Sequence, residues 1–98
     1  MTPSVAGTSD RILRRVERDF AAADRVAVGR VLGGLVPGDP PNARERIQAA
    51  VLIIAHGRLD GLERAAREVA IDWRDVLMAA DLGFDDWPAR VDAFLGDP

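Results

Sequence analysis

The chain of 98 residues contains no cysteine, so it carries neither a disulfide bond nor a thiolate for catalysis or metal binding. It has a single histidine, His56, and only two serines, Ser4 and Ser9. A zinc site needs clustered ligands, and a serine nucleophile needs a histidine beside it. We therefore expect no catalytic residue, no metal site, no cofactor and no enzymatic activity.

Long apolar runs are also absent, because no stretch approaches the ~20 residues that span a bilayer. The first nine residues carry no positively charged side chain and no apolar segment of the kind found in signal peptides. From these two features we expect a cytoplasmic protein without a membrane partner.

Lysine is missing as well, and all thirteen basic side chains are arginines. Together with abundant alanine this indicates a GC-rich coding genome, so the arginine count alone does not indicate nucleic-acid binding. The net charge of −3 is unevenly spread, with six arginines and four acids in 10–32 but two arginines and seven aspartates in 72–98. The asymmetry fits either an acidic face for a partner or two chain ends that pack together, and we favour the second.

Helical periodicity is what the sequence does contain. Apolar residues from Ile12 to Val31 recur every three or four positions, after a cap at Ser9 or Asp10. This pattern predicts one long helix over 10–32, preceded by a disordered tail over 1–9. A loop over 33–41 follows, because three prolines and three glycines fall within nine residues.

The remaining residues, 42–96, form a helical body in which helix-start signals recur. These signals are Asn42 with Glu45, Asp60 with Glu63, Asp72 with Asp75, and Asp85–Asp86 before Pro88. The run 49–55 is apolar at every position, which places its helix centrally in the core or under another chain. The predicted fold is all-α, a long N-terminal helix followed by a compact bundle of four shorter helices, in a single domain over 10–98.

Two sequence features that could indicate a metal site are incomplete. His56 stands alone at a helix end, where its charge complements the helix dipole. Aspartates from Asp81 to Asp92 partly fit a calcium loop, but Asp86 occupies the position that requires glycine. We interpret these acids as helix caps and first-turn dipole partners.

Residues 63–80 fit a helix-turn-helix template in several places. Ala70 would be the small residue of the turn, and Val69 and Ile71 would flank it into the core. The second helix exposes acids such as Asp75, and a net negative surface opposes docking to phosphates. We therefore favour helix–helix packing here and keep a helix-turn-helix nucleic-acid-binding protein as the alternative function.

Three motifs carry a resemblance: R-I-Q at 46–48, H-G-x-L-D at 56–60 and D-W-R-D-x-L-x-A-A at 72–80. In this order they resemble a pattern in short uncharacterised bacterial helical proteins, over about half the chain from Asn42 to about Trp87. The resemblance implies a bacterial cytosolic helical domain and transfers no functional residue.

The predicted long helix suggests a function. Its 23 residues would span ~35 Å, whereas each later helix spans only ~15–21 Å. A second chain would cover the excess apolar face, so we predict a homodimer. The predicted function is that of a small protein-interaction or regulatory module. Any further partner is expected to be another protein rather than a nucleic acid. The alternative is a monomer in which the 33–41 loop folds the helix back. Candidate interface residues are Ile12, Val16, Phe20, Ala27, Val31, Trp73 and Trp87.

Overall fold

The computed structural model describes residues 8–35 and 42–96, and these form α-helices with short connections. The helices are α1 (Asp10–Asp19), α2 (Arg25–Gly33), α3 (Asn42–Ala55), α4 (Leu59–Ala79) and α5 (Trp87–Leu95), with a 3₁₀ turn at Ala22–Asp24. No strand occurs in this part of the chain, and the all-α prediction is confirmed. Residues 1–7 of the predicted tail and residues 36–41 of the predicted loop lie outside the described residues.

The chain enters the fold slightly before the predicted start of the first helix. Thr8 is buried, and the Ser9 hydroxyl accepts a hydrogen bond from the Ile12 N–H. The same hydroxyl donates to Glu45 Oε2 at 2.7 Å, which ties Ser9 to α3. The predicted tail over 1–9 is therefore too long at its end, because Thr8 and Ser9 already belong to the packed structure.

The predicted single helix over 10–32 is wrong, because the chain breaks at Phe20. Phe20 and the next residue are extended, with ψ of 145° and 149°, so α1 ends at Asp19. At about 100° per residue, a continuous helix would put Val28 and Leu32 roughly 160–200° from Ile12. The break turns all three side chains into one core, where none is more than 1% exposed.

The break lets the chain fold α2 back, so that it packs on α1 and α4. The long N-terminal helix of the expected architecture is thus replaced by two short helices.

Helix α3 occupies the centre of the core and packs against α1, α4 and α5. Six consecutive residues, from Ile47 to Leu52, are buried. One of them is polar: Gln48 donates from Nε2 to the Leu32 carbonyl at 3.2 Å, which fixes α3 against the end of α2. Of the two environments expected for the apolar run 49–55, the core of its own chain is the one observed.

Helix α4 joins two helices that the sequence predicts separately. Only Asp72 departs from helical geometry, with φ −155° and ψ 97°. Its carboxylate accepts the Arg74 N–H at 3.0 Å, which caps the second half of the helix. The predicted helix start at Asp72 is therefore a kink within one helix, which ends at Ala79.

The end of α3 meets the end of α1 at Gly57. Its φ is +76°, and a Cβ built there would lie 2.7 Å from the Asp19 carbonyl oxygen. Only glycine satisfies both the backbone angle and the close approach. In the described segments, no helix is both long enough and apolar enough to cross a bilayer.

Candidate interaction surface

The two ends of the chain are joined by Arg11 of α1. Its guanidinium donates to Glu45 from Nε at 2.9 Å and from Nη2 at 2.6 Å, and Nη1 donates to Asp92 at 2.7 Å. Nη1 also donates to the Gly96 carbonyl at 3.1 Å. Hydrogen bonding from Arg11 lowers the pKa of Glu45, against the opposing effect of burial. The basic N-terminal region therefore packs on the acidic C-terminal region within one chain, as favoured from the charge pattern.

Arg15 makes a second connection between α1 and α5. It pairs with Asp19 at 2.7 Å and donates to the Phe94 carbonyl at 3.0 Å. Its guanidinium also lies over the Phe94 ring, 4.1 Å from the centroid. Because both arginines are held by several partners, this end of the molecule has a structural role.

Arg46 binds the segment that connects α4 and α5. Its Nε and Nη2 both donate to the Leu82 carbonyl, at 2.8 and 2.5 Å. The guanidinium lies over the half-buried ring of Trp87, 4.7 Å from the centroid, and desolvation by burial lowers the pKa of Arg46. The sequence gives no signal for this contact, because a backbone carbonyl can be reached by any nearby arginine.

The candidate interface residues do not form one surface. Ile12, Val16 and Phe20 are at most 4% exposed and belong to the core of their own chain. The other four are half-buried, namely Ala27, Val31, Trp73 and Trp87. The reason for placing a dimer on the first helix therefore falls away, while self-association itself stays a prediction.

An apolar groove lies in the angle between the two halves of α4. Its volume is about 320 Å³, and its apolar lining comes from Ile54, Gly61, Ala65, Val76 and Ala79. Gly61 allows this close packing, since a Cβ there would lie 3.2 Å from the Ala55 carbonyl oxygen. The remaining lining residues are charged and exposed: Arg64, Glu68 and Asp75.

Ile71 belongs to the same half of α4 as Arg64 and Glu68, and its side chain is 79% exposed. It lies seven residues after Arg64 and three after Glu68, so helical periodicity puts it on the same stripe of α4. The sequence predicts Ile71 in the core as part of a helix-turn-helix, and this prediction is wrong. The helix continues through Ile71 and kinks only at Asp72. Ile71 therefore keeps a helical position on the exposed stripe of α4.

The rest of the helix-turn-helix template is matched in part. Val69 is buried as expected, but Ala70 is an exposed helical residue rather than part of a turn. Asp75 is exposed on the second half of α4, and Arg74 lies over the Trp73 ring, 5.3 Å from its centroid. The acidic character expected of this half is present at the surface.

Residues with metal-binding chemistry are dispersed in the structure. Within 8–35 and 42–96, no three histidine, aspartate or glutamate side chains converge on a point that could hold an ion. His56 is exposed, and its Nδ1 lies 3.0 Å from the Ile54 carbonyl oxygen. Of the aspartates in the broken calcium pattern, Asp86 pairs with Arg90 and Asp92 pairs with Arg11.

Comparison of the chain with protein-family models, with curated proteins and with solved structures finds no match in any of the three.

Proposed function

We propose that this chain is a small protein-interaction or regulatory module that associates with itself and has no catalytic activity of its own. One observation carries the proposal: the groove of about 320 Å³ on α4, with an apolar floor and a charged rim. Protein interfaces have the same arrangement, in which an apolar core is surrounded by polar residues. The exposed Ile71 lies on the same stripe of α4 as the rim residues Arg64 and Glu68.

The charges support a protein partner over a nucleic acid. The second half of α4 exposes Asp72 and Asp75, which repel phosphates. Arg11 and Arg15 are engaged by carboxylates and carbonyls of their own chain. Binding of nucleic acid through a helix-turn-helix thus has less support than binding of protein, and a cytoplasmic, bacterial setting stays part of the proposal.

Sedimentation equilibrium over a range from low to high micromolar protein tests self-association. We expect an apparent mass that rises with concentration toward twice the monomer mass of 10.6 kDa. A mass that stays at 10.6 kDa throughout would contradict the self-association part of the proposal. A gel-shift assay with pooled genomic fragments runs in parallel, and selection of one DNA motif would favour the nucleic-acid alternative.

A further inference from the structure

Asp60 and Gly61, in the first turn of α4, form a chemically reactive pair. Asp60 is the only aspartate of the chain that is followed by glycine. Because glycine has no side chain, its backbone nitrogen is less hindered than that of other residues, and it can attack the carboxyl group of a preceding aspartate. Packing requires the glycine here, since a Cβ at position 61 would lie 3.2 Å from the Ala55 carbonyl oxygen.

The structure leaves both reacting groups accessible. The Asp60 side chain is 65% exposed, and its ion pair with Arg58 is 3.4 Å long, the Arg58 side chain being 74% exposed. Exposed ion pairs of this kind hold a side chain weakly. The first N–H groups of a helix lack a carbonyl partner within the helix. Among the described residues, the Gly61 N–H donates to Asp60 Oδ1, at 2.9 Å, and to no backbone carbonyl.

The reaction requires the first turn of α4 to open. The Asp60 backbone is helical, and its ψ angle must rotate before the Gly61 nitrogen can form a planar ring with Cγ. The N-cap residue is Arg58, which makes no side-chain cap hydrogen bond. Opening breaks the hydrogen bond from the Leu62 N–H to the Arg58 carbonyl, which is 3.0 Å long. Helix ends open locally at a much lower free energy than the whole chain unfolds.

We propose that Asp60 is a site of spontaneous covalent modification, at which aspartate isomerises to isoaspartate through a succinimide. The Gly61 nitrogen forms a bond to Cγ of the protonated Asp60 carboxyl, and the amide proton leaves with the carboxyl hydroxyl as water. Water then opens the ring. Cleavage between the nitrogen and Cγ restores aspartate, whereas cleavage between the nitrogen and the main-chain carbonyl carbon leaves a backbone that runs through Cγ. One water leaves and one returns, so no other reactant is needed.

The product changes the backbone at the edge of the groove on α4. Isoaspartate adds one methylene to the main chain and moves the free carboxylate onto Cα, so the Asp60 side chain that pairs with Arg58 is lost. The added atom directly precedes Gly61, which lines the groove. The inference is independent of the proposed self-association, because the reaction needs only the fold of one chain.

Ageing of the intact protein in mildly acidic buffer tests the proposal. Hydrogen bonding from Gly61 and the charge of Arg58 lower the pKa of Asp60, so mild acid raises the fraction of the protonated carboxyl that reacts. Trypsin then releases residues 59–64, because this segment follows one arginine and ends on another. Chromatography separates the isoaspartyl form of the peptide. An isoaspartyl methyltransferase with labelled S-adenosylmethionine identifies it, because the enzyme methylates the new carboxylate.

The matched comparison in the same digest is the peptide 68–74, which contains Asp72. Asp72 is also exposed, but Trp73 follows it, and its carboxylate accepts the N–H of Arg74 rather than that of the next residue. We expect methylated isoaspartate to accumulate in 59–64 while 68–74 stays unlabelled. Asp60→Glu should abolish the label in 59–64, since glutamate does not form the five-membered ring.

Two variants at position 58 test whether the reaction passes through the opened first turn. Arg58→Ser supplies a hydroxyl that can accept the Gly61 N–H as an N-cap, whereas Arg58→Ala supplies none, and both remove the same charge. We expect Arg58→Ser to isomerise about fivefold more slowly than Arg58→Ala, because a serine cap stabilises the first turn by about that factor. Both positions of the ion pair are exposed, so far-UV circular dichroism should show unchanged helix content.

The outcomes are distinct. Label confined to 59–64, and slower in Arg58→Ser than in Arg58→Ala, supports the proposal. Absence of label from 59–64 in the folded protein, while a synthetic peptide of the same sequence isomerises in the same buffer, would show that the fold protects this bond and would overturn it. Equal labelling of 59–64 and 68–74 would also overturn it. Equal rates in the two variants at position 58 would overturn the route through the opened turn.

Discussion

The end of the molecule where α1 meets α5 and the exposed side of α4 at the groove contain the same kinds of residue in opposite states. Arg11 is bonded to Glu45, Asp92 and a carbonyl oxygen, whereas Arg64 makes no salt bridge in the described part of the chain. Phe20 is 3% exposed, whereas Ile71 is 79% exposed. Residues that complete their contacts within the chain contribute to folding, and those that do not are available for binding.

The largest expected difference between the two regions concerns their apolar residues. Phe20→Ala should lower the free energy of unfolding by about 3–5 kcal/mol, because it leaves a cavity in the core. Ile71→Ala should change it by no more than about 0.5 kcal/mol, since the side chain is exposed and alanine favours the helix. Urea unfolding at low micromolar protein, which disfavours any self-association, measures both values.

Val26→Ala is the matched control, because Val26 belongs to the same predicted helix as Phe20 but is 73% exposed. It should behave like Ile71→Ala. Equal losses for Phe20→Ala and Val26→Ala would show that the chain does not break at Phe20 as described. The earlier expectation that Phe20 forms a dimer interface would then regain its basis.

Sequence periodicity predicts which segments are helical, but it does not predict where the chain turns between them. Caps and glycines locate α3, α5 and the boundary at Asp72, because those signals act within one turn of the chain. The break at Phe20 has no such signal, since no proline or glycine lies there. It follows from the need to bury Val28 and Leu32 with Ile12, which depends on the rest of the fold.

The candidate surface is predictable only in part for a similar reason. The acidic character of the second half of α4 follows directly from its residues. The outward position of Ile71 does not, because it depends on whether the chain makes a loop at Ala70 or a kink at Asp72. Glu45 shows the same limit: its spacing from Asn42 predicts a local cap, but its carboxylate binds Arg11 and Ser9, which are distant in sequence.

The next largest difference in stability is expected when one arginine of each region is replaced by methionine, which keeps much of the side-chain length. Arg11→Met should cost about 2–3 kcal/mol, because Glu45 loses a charged donor and Asp92 and the Gly96 carbonyl lose theirs. Arg64→Met should cost no more than about 0.5 kcal/mol in the monomer. Thermal unfolding at low protein concentration distinguishes the two methionine variants. Arg11→Lys should recover only part of the stability lost in Arg11→Met, since lysine lacks the forked geometry of arginine. Similar small losses for both methionine variants would contradict the structural role of Arg11.

The smallest expected effect is a dependence on pH at the Arg11 end. The pKa of Glu45 is lowered in the folded chain by hydrogen bonding from Arg11 and Ser9. A group with a lowered folded pKa stabilises the protein above its unfolded pKa, and that contribution is lost as the pH falls through the folded pKa. The loss therefore develops on acidification below the ordinary glutamate value of 4.5. Glu45→Gln should lose less stability than the wild type between pH 7 and pH 3. Urea unfolding of both proteins at both pH values gives the difference. An identical acid-dependent loss in the wild type and in Glu45→Gln would show that the bonds from Arg11 to Glu45 do not stabilise the fold.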